Sequence, residues 1–142
     1  MIKSIGYDAN TYLKGHEGHI YTITCSKKGD FVATGELLDS NAQACLIVWD
    51  FQARERLFRV RYHRQQVLSL TFSCDDTYLI SLGGAEDKNQ LVCWNLVEGK
   101  SECTQSVTEE SFQDCTDVKF YNCDPTKFIT GHNGAVKFWM ID

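Results

Sequence analysis

Three tryptophans recur at a fixed interval along the chain, and no other feature of the sequence constrains its fold as strongly. Trp49, Trp94 and Trp139 follow one another at intervals of 45 residues. Each closes a short apolar run, which reads "LIVW", "LVCW" or "VKFW". A repeat of about 40–45 residues indicates that similar supersecondary units are stacked along the chain.

Two further β-rich stretches precede each tryptophan in the same order. The first reads "HIYTITCS", "QVLSLTFS" or "CTDVKFYN", and the second reads "FVATG", "YLISL" or "KFITG". The turn signals "KKGD", "CDDT" and "CDPT" separate them. Short β-branched and aromatic runs divided by turns are typical of antiparallel strands. A fourth strand is predicted in "RLFRVRY", with a weaker pattern in "GKSECTQ", so the chain is predicted to be all-β with four strands per unit.

The ends of the first unit carry the residues of a known repeat. The unit begins with Gly15-His16 and ends with Trp49-Asp50. It resembles the WD-repeat family, whose units have Gly-His near the start and Trp-Asp at the third strand. The second unit keeps the histidine, as His63, and the tryptophan, whereas the third keeps only the tryptophan. The resemblance implies a WD-repeat β-propeller with about three consecutive four-stranded blades.

This arrangement predicts a partial ring over residues 1–142. Residues 1–14 would end a preceding blade, with a strand in "NTYL", and two blades would span 15–62 and 63–106. Residues 107–142 would form an incomplete blade. Propellers close with about 4–8 blades, and open sheet edges attract other strands. The remaining blades are therefore expected from the same longer protein or from another chain.

The family resemblance also implies a buried hydrogen-bond relay in each blade. It joins the histidine, a Ser or Thr on the second strand, an Asp in the following turn and the indole N–H, which needs an acceptor when buried. Carried over residue by residue, the relay comprises His16, Thr34 and Trp49 in the first unit, His63, Ser81, Asp87 and Trp94 in the second, and Thr130, Asn133 and Trp139 in the third.

The position of His132 predicts that it takes no part in this relay. The family histidine precedes the first strand, whereas His132 follows the second strand, "KFITG". Replacing His63 by alanine is expected to destabilise the fold by about 1–3 kcal/mol, because the hydroxyl and indole groups of the relay would lose a partner. The same change at His132 is expected to be nearly neutral.

Two units have enlarged loops between the second and third strands, "ELLDSNAQA" (36–44) and "GGAEDKNQ" (83–90). Insertions in repeat folds collect on one face, which is often the binding face, although tolerated surface variation is the alternative. The candidate partner-binding residues are Glu36, Leu37, Leu38, Asp39, Ser40 and Asn41 in the first loop and Glu86, Asp87, Lys88 and Asn89 in the second.

Charge and composition exclude several classes of partner. The net charge is −5 and the isoelectric point is near 5.3, which disfavours nucleic acid and anionic membranes because both require a basic face. No apolar run approaches the roughly 20 residues of a membrane-spanning helix, and the first residues lack an apolar signal region. The seven cysteines include no C-x-x-C pair and indicate reduced, packed thiols in the cytosol.

The sequence contains no recognisable catalytic constellation. "GKS" at 99–101 lacks the first glycine of a phosphate-binding loop, and neither G-x-S-x-G nor G-x-G-x-x-G occurs. His16 and His19 have metal-like spacing but no third ligand nearby in the sequence. Catalysis, a cofactor and a bound metal are therefore not expected.

A closer resemblance rests on the second unit, "YHRQQVLSLTFSCDDTYLISLGGAEDKNQLVCWNLVEGK", and on its flanking stretches. From about residue 13 onward the chain is similar to the cilia- and flagella-associated WD-repeat family of axonemal doublet microtubules. This implies a structural scaffold of the axoneme, a doublet-microtubule inner protein, located in the cytoplasm and cytoskeleton of the cilium or flagellum. Tubulin and other axonemal proteins are the implied partners. The alternative function is a general cytosolic WD-repeat adaptor subunit of a multiprotein complex.

Overall fold

The computed structural model describes residues 12–98, the backbone of residues 100–106, and residues 114–142. These residues form eleven β-strands in three antiparallel sheets and one short 3₁₀ turn, Ala85–Asp87. No helix in these ranges could span a membrane.

Each sheet is a meander in which consecutive strands pair as neighbours. The first sheet has the order β1-β2-β3-β4 and consists of β1 His19–Cys25, β2 Phe31–Leu37, β3 Gln43–Asp50 and β4 Glu55–Arg64. The second has the order β5-β6-β7-β8 and consists of β5 Val67–Phe72, β6 Tyr78–Gly83, β7 Gln90–Asn95 and β8 Lys100–Ser106. The third consists of β9 Asp117–Phe120, β10 Lys127–His132 and β11 Ala135–Met140, with β10 in the middle.

The three tryptophans occupy the same place in the three sheets. Trp49, Trp94 and Trp139 lie on β3, β7 and β11, the third strand of each sheet in chain order. Each pairs with an apolar residue of the second strand in its own sheet. The prediction of an all-β chain of repeated propeller blades is therefore confirmed, and the sheets do not close into a ring.

The hydrophobic core lies between the sheets. One cluster joins Leu46 and Val48 of the first sheet to Phe72 and Trp94 of the second. A second cluster joins the second and third sheets. The middle sheet is covered on both faces, so β6 and β7 are almost continuously buried. β11 instead alternates between half-buried and exposed residues, as expected for a strand with one open face.

Both ends of the stack present apolar side chains to solvent. On the third sheet, Val136, Phe138 and Met140 are 60–80% exposed. On the first sheet, an apolar groove of about 440 Å³ is lined by residues that include Ile20 and Ile23. These are the faces that neighbouring blades cover in a propeller.

The boundaries of several predicted units differ in the structure. Tyr12 and Leu13 of "NTYL" belong to no strand, and the remaining two residues of this stretch lie outside the described residues. The fourth strand of the first sheet extends to Arg64, so His63 belongs to the first sheet. Residues 107–113 of the predicted incomplete blade also lie outside the described residues.

Candidate functional site

In the first sheet a buried hydrogen-bond relay connects the segment before β1 to β2 and β3. The indole Nε1 of Trp49 donates to Thr34 Oγ1 over 2.8 Å. His16 Nε2 lies 2.7 Å from the same hydroxyl oxygen. Thr34 and Trp49 are both about 95% buried. The structure thus brings together the three residues predicted for this relay.

A buried carboxylate, Glu36, completes the relay of the first sheet. Its Oε2 atom lies 3.1 Å from His16 Nδ1 and accepts hydrogen bonds from the backbone N–H groups of Glu17 (3.0 Å) and Gly18 (3.2 Å). Its Oε1 atom accepts the N–H of Cys45 over 2.8 Å. Burial alone would raise the pKa of Glu36, but these backbone donors hold it below its usual value. Glu36 is therefore an ionised anchor of the relay.

The assignment of Glu36 to a partner-binding loop was wrong. The side chain is completely buried, and β2 continues through it to Leu37. Residues two apart on a strand share a face, so Glu36 lies on the same face as Thr34 and takes the place of the missing Asp. This i, i+2 spacing from the relay threonine was the signal in the sequence that could have identified it.

The second relay connects the first sheet to the second. Its histidine, His63, lies on β4, whereas Ser81, Asp87 and Trp94 belong to the second sheet or its 3₁₀ turn. His63 Nε2 lies 2.7 Å from Ser81 Oγ, and Nδ1 lies 2.5 Å from Asp87 Oδ2. Trp94 Nε1 donates to Ser81 Oγ over 2.8 Å. The expectation that His63 and its partners would share one blade was wrong, because β4 includes the histidine.

Gly83 makes room for this relay. A Cβ atom at this position would lie 2.2 Å from the Asp87 carboxylate and 2.6 Å from His63 Nδ1. Any larger residue would therefore push the carboxylate and the imidazole apart. A glycine is required here because the backbone packs closely against the His63 and Asp87 side chains.

In the third sheet His132 does take part in a relay, so its predicted exclusion was wrong. Trp139 Nε1 donates to Thr130 Oγ1 over 2.8 Å, and His132 Nε2 lies 2.8 Å from the same oxygen. His132 is 8% exposed and lies two residues after Thr130 on β10, on the same face. The prediction considered only a histidine before the first strand. Asn133, predicted as the relay residue, lies exposed in the turn before β11.

The second-to-third-strand loops are shorter than predicted and lie side by side. β2 and β3 extend into the predicted loop 36–44, which leaves residues 38–42 between them. Leu38 N donates to Gln65 O, and Gly84 N donates to Gln66 O. Because both loops hydrogen-bond to the same β4–β5 connection, they form one surface, which we call the loop face (residues 38–42 and 84–89).

Only part of the predicted binding set is accessible on the loop face. Asp39, Ser40 and Asn41 are exposed, as are Glu86 and Lys88, whereas Leu37 and Leu38 are half-buried. Asp87 is held by the second relay. Asn89 is 96% buried, and its Nδ2 donates to Gly83 O and to Cys115 O. Asn89 therefore connects the second sheet to the segment before β9, a role its sequence context did not indicate.

The donor groups of His16, Glu36 and Cys45 form the one cluster in the described residues with the composition and proximity of a metal site. Their ligand atoms lie within 4.8 Å of one another. Burial lowers the pKa of His16, although Glu36 acts in the opposite direction. Sequence reasoning paired His16 with His19 and missed this cluster, because Glu36 and Cys45 come from two later strands.

The chain is similar in sequence and in fold to several known proteins. Residues 8–50 match the family described as WD domain, G-beta repeat. The chain is 32% identical over 142 residues to cilia- and flagella-associated protein 52 of Mus musculus. It is 34% identical over 131 residues to the protein of the same name from Chlamydomonas reinhardtii, covering 92% of this chain. The β-propeller domain of Myceliophteria thermophila Cps50 (Swd1) superposes with a TM-score of 0.67 at 17% identity.

The chain is shorter than each of these proteins. It covers 23% of the mouse relative and 21% of the algal one. The structural match covers 89% of this chain and 38% of the propeller domain. At 17% identity, the structural likeness concerns the fold.

Proposed function

We propose that this chain, which is built from WD40 repeats, is part of a structural scaffold of the ciliary or flagellar axoneme. The supporting observation is the similarity along its whole length to proteins named cilia- and flagella-associated protein 52, at 32% identity for the mouse protein. Within the axoneme, we assign the scaffold to the inside of the doublet microtubule, with tubulin and neighbouring axonemal proteins as partners.

The arrangement of the polar side chains supports a structural role without catalysis. Three histidines each contact a buried Ser or Thr hydroxyl, and the same hydroxyl oxygen accepts a hydrogen bond from a tryptophan indole N–H. Their hydrogen bonds hold strands and sheets together, and the hydroxyls are at least 95% buried. A nucleophile in such a position is inaccessible to a substrate.

The loop face is the surface that we propose for partner binding. It rests on a rigid base, because Leu38 and Gly84 are both hydrogen-bonded to the β4–β5 connection. Its accessible groups are mixed in charge and include Asp39, Glu86 and Lys88. Exposed loops on a rigid stack of repeats are suited to specific recognition of another protein.

The two apolar ends of the stack support the assignment of this chain to a larger propeller. Phe138 is 80% exposed and Ile23 is 66% exposed, on opposite ends of the three sheets. Exposed apolar area of this kind is usually covered by another surface. We propose that further blades, from the same longer protein or from another chain, pack against both ends.

Localisation of the intact protein tests the functional proposal. The protein carrying this chain is tagged in ciliated cells, and axonemes are extracted with detergent and then with high salt. A doublet-microtubule inner protein is expected to remain with the doublets after both extractions. A diffuse cytosolic signal without enrichment in the cilium would contradict the proposal and favour a general cytosolic WD-repeat adaptor.

The loop face is tested by a matched pair of variants in the same cells. Replacing Asp39, Ser40 and Asn41 together by alanine is expected to reduce retention in salt-extracted doublets. The control replaces Lys28 and Gln52, exposed residues of the β1–β2 and β3–β4 turns at the opposite end of the sheet. Equal retention of both variants would show that the loop face does not contact the partner.

A further inference from the structure

The cluster of His16, Glu36 and Cys45 has the donor set of a zinc site. Glu36 and Cys45 are completely buried, and the His16 side chain is 5% exposed. His16 Nδ1 lies 3.1 Å from Glu36 Oε2 and 3.4 Å from Cys45 Sγ. Nitrogen, carboxylate oxygen and thiolate sulfur are the three protein ligands that zinc prefers.

The distances between the donors suit tetrahedral coordination. With Zn–N and Zn–O bonds of about 2.0–2.1 Å and a Zn–S bond of about 2.3 Å, adjacent ligand atoms of a tetrahedron lie roughly 3.3–3.6 Å apart. The observed separations of 3.1 and 3.4 Å are close to these values. All three donor atoms lie within 4.8 Å of one another, so the side chains would have to move together slightly around an ion. A fourth ligand would have to come from a small molecule such as water.

The relay can adjust its protons to accept a cation at Nδ1. In one arrangement Nδ1–H donates to Glu36, and the Thr34 hydroxyl donates to Nε2. In the other, Nε2–H donates to Thr34 Oγ1, and the hydroxyl turns toward Ile47 O, 3.5 Å away. The second arrangement frees the Nδ1 lone pair and keeps the Trp49 N–H bonded. Metal binding then releases one proton, which comes from the Cys45 thiol.

A neighbouring group would support one of the ligands. Thr34 holds the second nitrogen of His16, and a hydrogen bond to the other ring nitrogen is what usually orients a ligating histidine.

We propose that His16 Nδ1, Glu36 Oε2 and Cys45 Sγ bind one zinc ion. The ion ties the segment before β1 to β2 and β3 and so strengthens the first sheet. The second relay provides an internal comparison, because it has the same histidine–carboxylate pair in His63 and Asp87. The residue 45 positions after Cys45 is Gln90, so that relay has no thiolate at the matching place.

Metal titration of the full chain tests this site. The protein is treated with a chelator and then titrated with Zn²⁺ or with Co²⁺ as a spectroscopic substitute. One equivalent of either metal is expected to bind, and Co²⁺ should show a thiolate charge-transfer band with intense tetrahedral d–d bands. Cys45→Ser should lose the thiolate band and bind zinc at least about tenfold more weakly, because losing even an outer-shell partner of a ligand costs about 10–100-fold in metal affinity.

Cys93→Ser is the matched control, since Cys93 is a buried cysteine on β7 of the second sheet. It should bind both metals like the wild type. The proposal is overturned if the wild type binds no stoichiometric metal or shows no thiolate–cobalt band. It is also overturned if Cys45→Ser binds like the wild type. Because Cys25 and Cys123 are exposed thiols that could also bind cobalt, the wild-type band alone does not identify Cys45. If Cys45→Ser fails to fold, His16→Gln serves as the second ligand variant, and wild-type-like metal binding by that variant also overturns the proposal.

Discussion

Replacing His63 by alanine tests whether the second relay holds two blades together. The imidazole is completely buried and makes hydrogen-bond contacts to Asp87 (2.5 Å) and Ser81 (2.7 Å). It lies on β4 of the first sheet, whereas both partners belong to the second. The substitution therefore removes hydrogen bonds between two sheets and leaves both partner groups unsatisfied.

The expected loss of stability follows from these contacts. A buried hydrogen bond to an ionised carboxylate contributes about 1.5–3 kcal/mol, and one between neutral groups contributes about 0.5–1.5 kcal/mol. The Asp87 side chain is only 12% exposed, so water compensates little for its lost partner. Together with the cavity left by the ring, the free energy of unfolding should fall by about 3–5 kcal/mol. This exceeds the 1–3 kcal/mol estimated from the sequence, because the structure shows two buried contacts.

Urea unfolding of the full chain, followed by tryptophan emission, measures this loss. The matched control is His19→Ala, because His19 is exposed on β1 and should lose at most about 0.5 kcal/mol. A double-mutant cycle with Asp87→Ala isolates the contact between the two side chains. Its coupling energy should be at least about 1.5 kcal/mol, the lower value for a charge-assisted hydrogen bond.

Two results would refute this reasoning. The first is an equal loss of stability, within about 0.5 kcal/mol, for His63→Ala and His19→Ala. The second is a coupling energy near zero between His63 and Asp87. Either result would mean that the relay geometry does not contribute to holding the blades together.

Three further predictions follow from the other buried groups. His132→Ala should destabilise the chain by about 1–2 kcal/mol in urea unfolding, because it removes a buried contact to a hydroxyl, while Asn133→Ala should be nearly neutral. Burial raises the pKa of Glu36, but its backbone hydrogen-bond donors lower it by more, so the net pKa is below its usual value. The ionised Glu36 side chain therefore stabilises the folded chain above the unfolded pKa of about 4.3. This stabilisation is lost as the pH falls through the lower pKa of the folded state. The stability difference between the wild type and Glu36→Gln should therefore shrink from about pH 7 to about pH 3, whereas a constant difference would contradict this charge role. Burial raises the pKa of the Cys115 thiol to about 11, so alkylation near pH 8, measured by mass spectrometry, should be much slower at Cys115 than at the exposed Cys25.

The fold could be predicted from the sequence because its signals are local and repeated. The β-rich runs and turns before Trp49 recur before Trp94 and Trp139 with the same spacing. Each run needs only its neighbours in the chain to form an antiparallel sheet, so the strand order follows from adjacency. Residues of the first two relays could likewise be carried over from the family resemblance, as His16 with Thr34 and His63 with Ser81.

The residues of the relays could not all be predicted, because the histidine or the carboxylate beside a buried hydroxyl can come from more than one position in the chain. In the third sheet, the imidazole comes from His132 on the second strand, since residues two apart on a strand share a face. In the first sheet, Glu36 uses the same spacing to supply the carboxylate. A pattern that expects each group at one fixed position misses both.

What the sequence alone determined is the all-β repeat, the third-strand position of Trp49, Trp94 and Trp139, and the absence of recognised catalytic motifs. What only the tertiary structure decided is which polar groups meet across strands and sheets. Strand register and sheet packing bring His16, Glu36 and Cys45 together. They also place Asn89 within hydrogen-bonding distance of Cys115, in the segment before β9. Side-chain periodicity is encoded within a strand, whereas distances between strands are set by how the sheets pack.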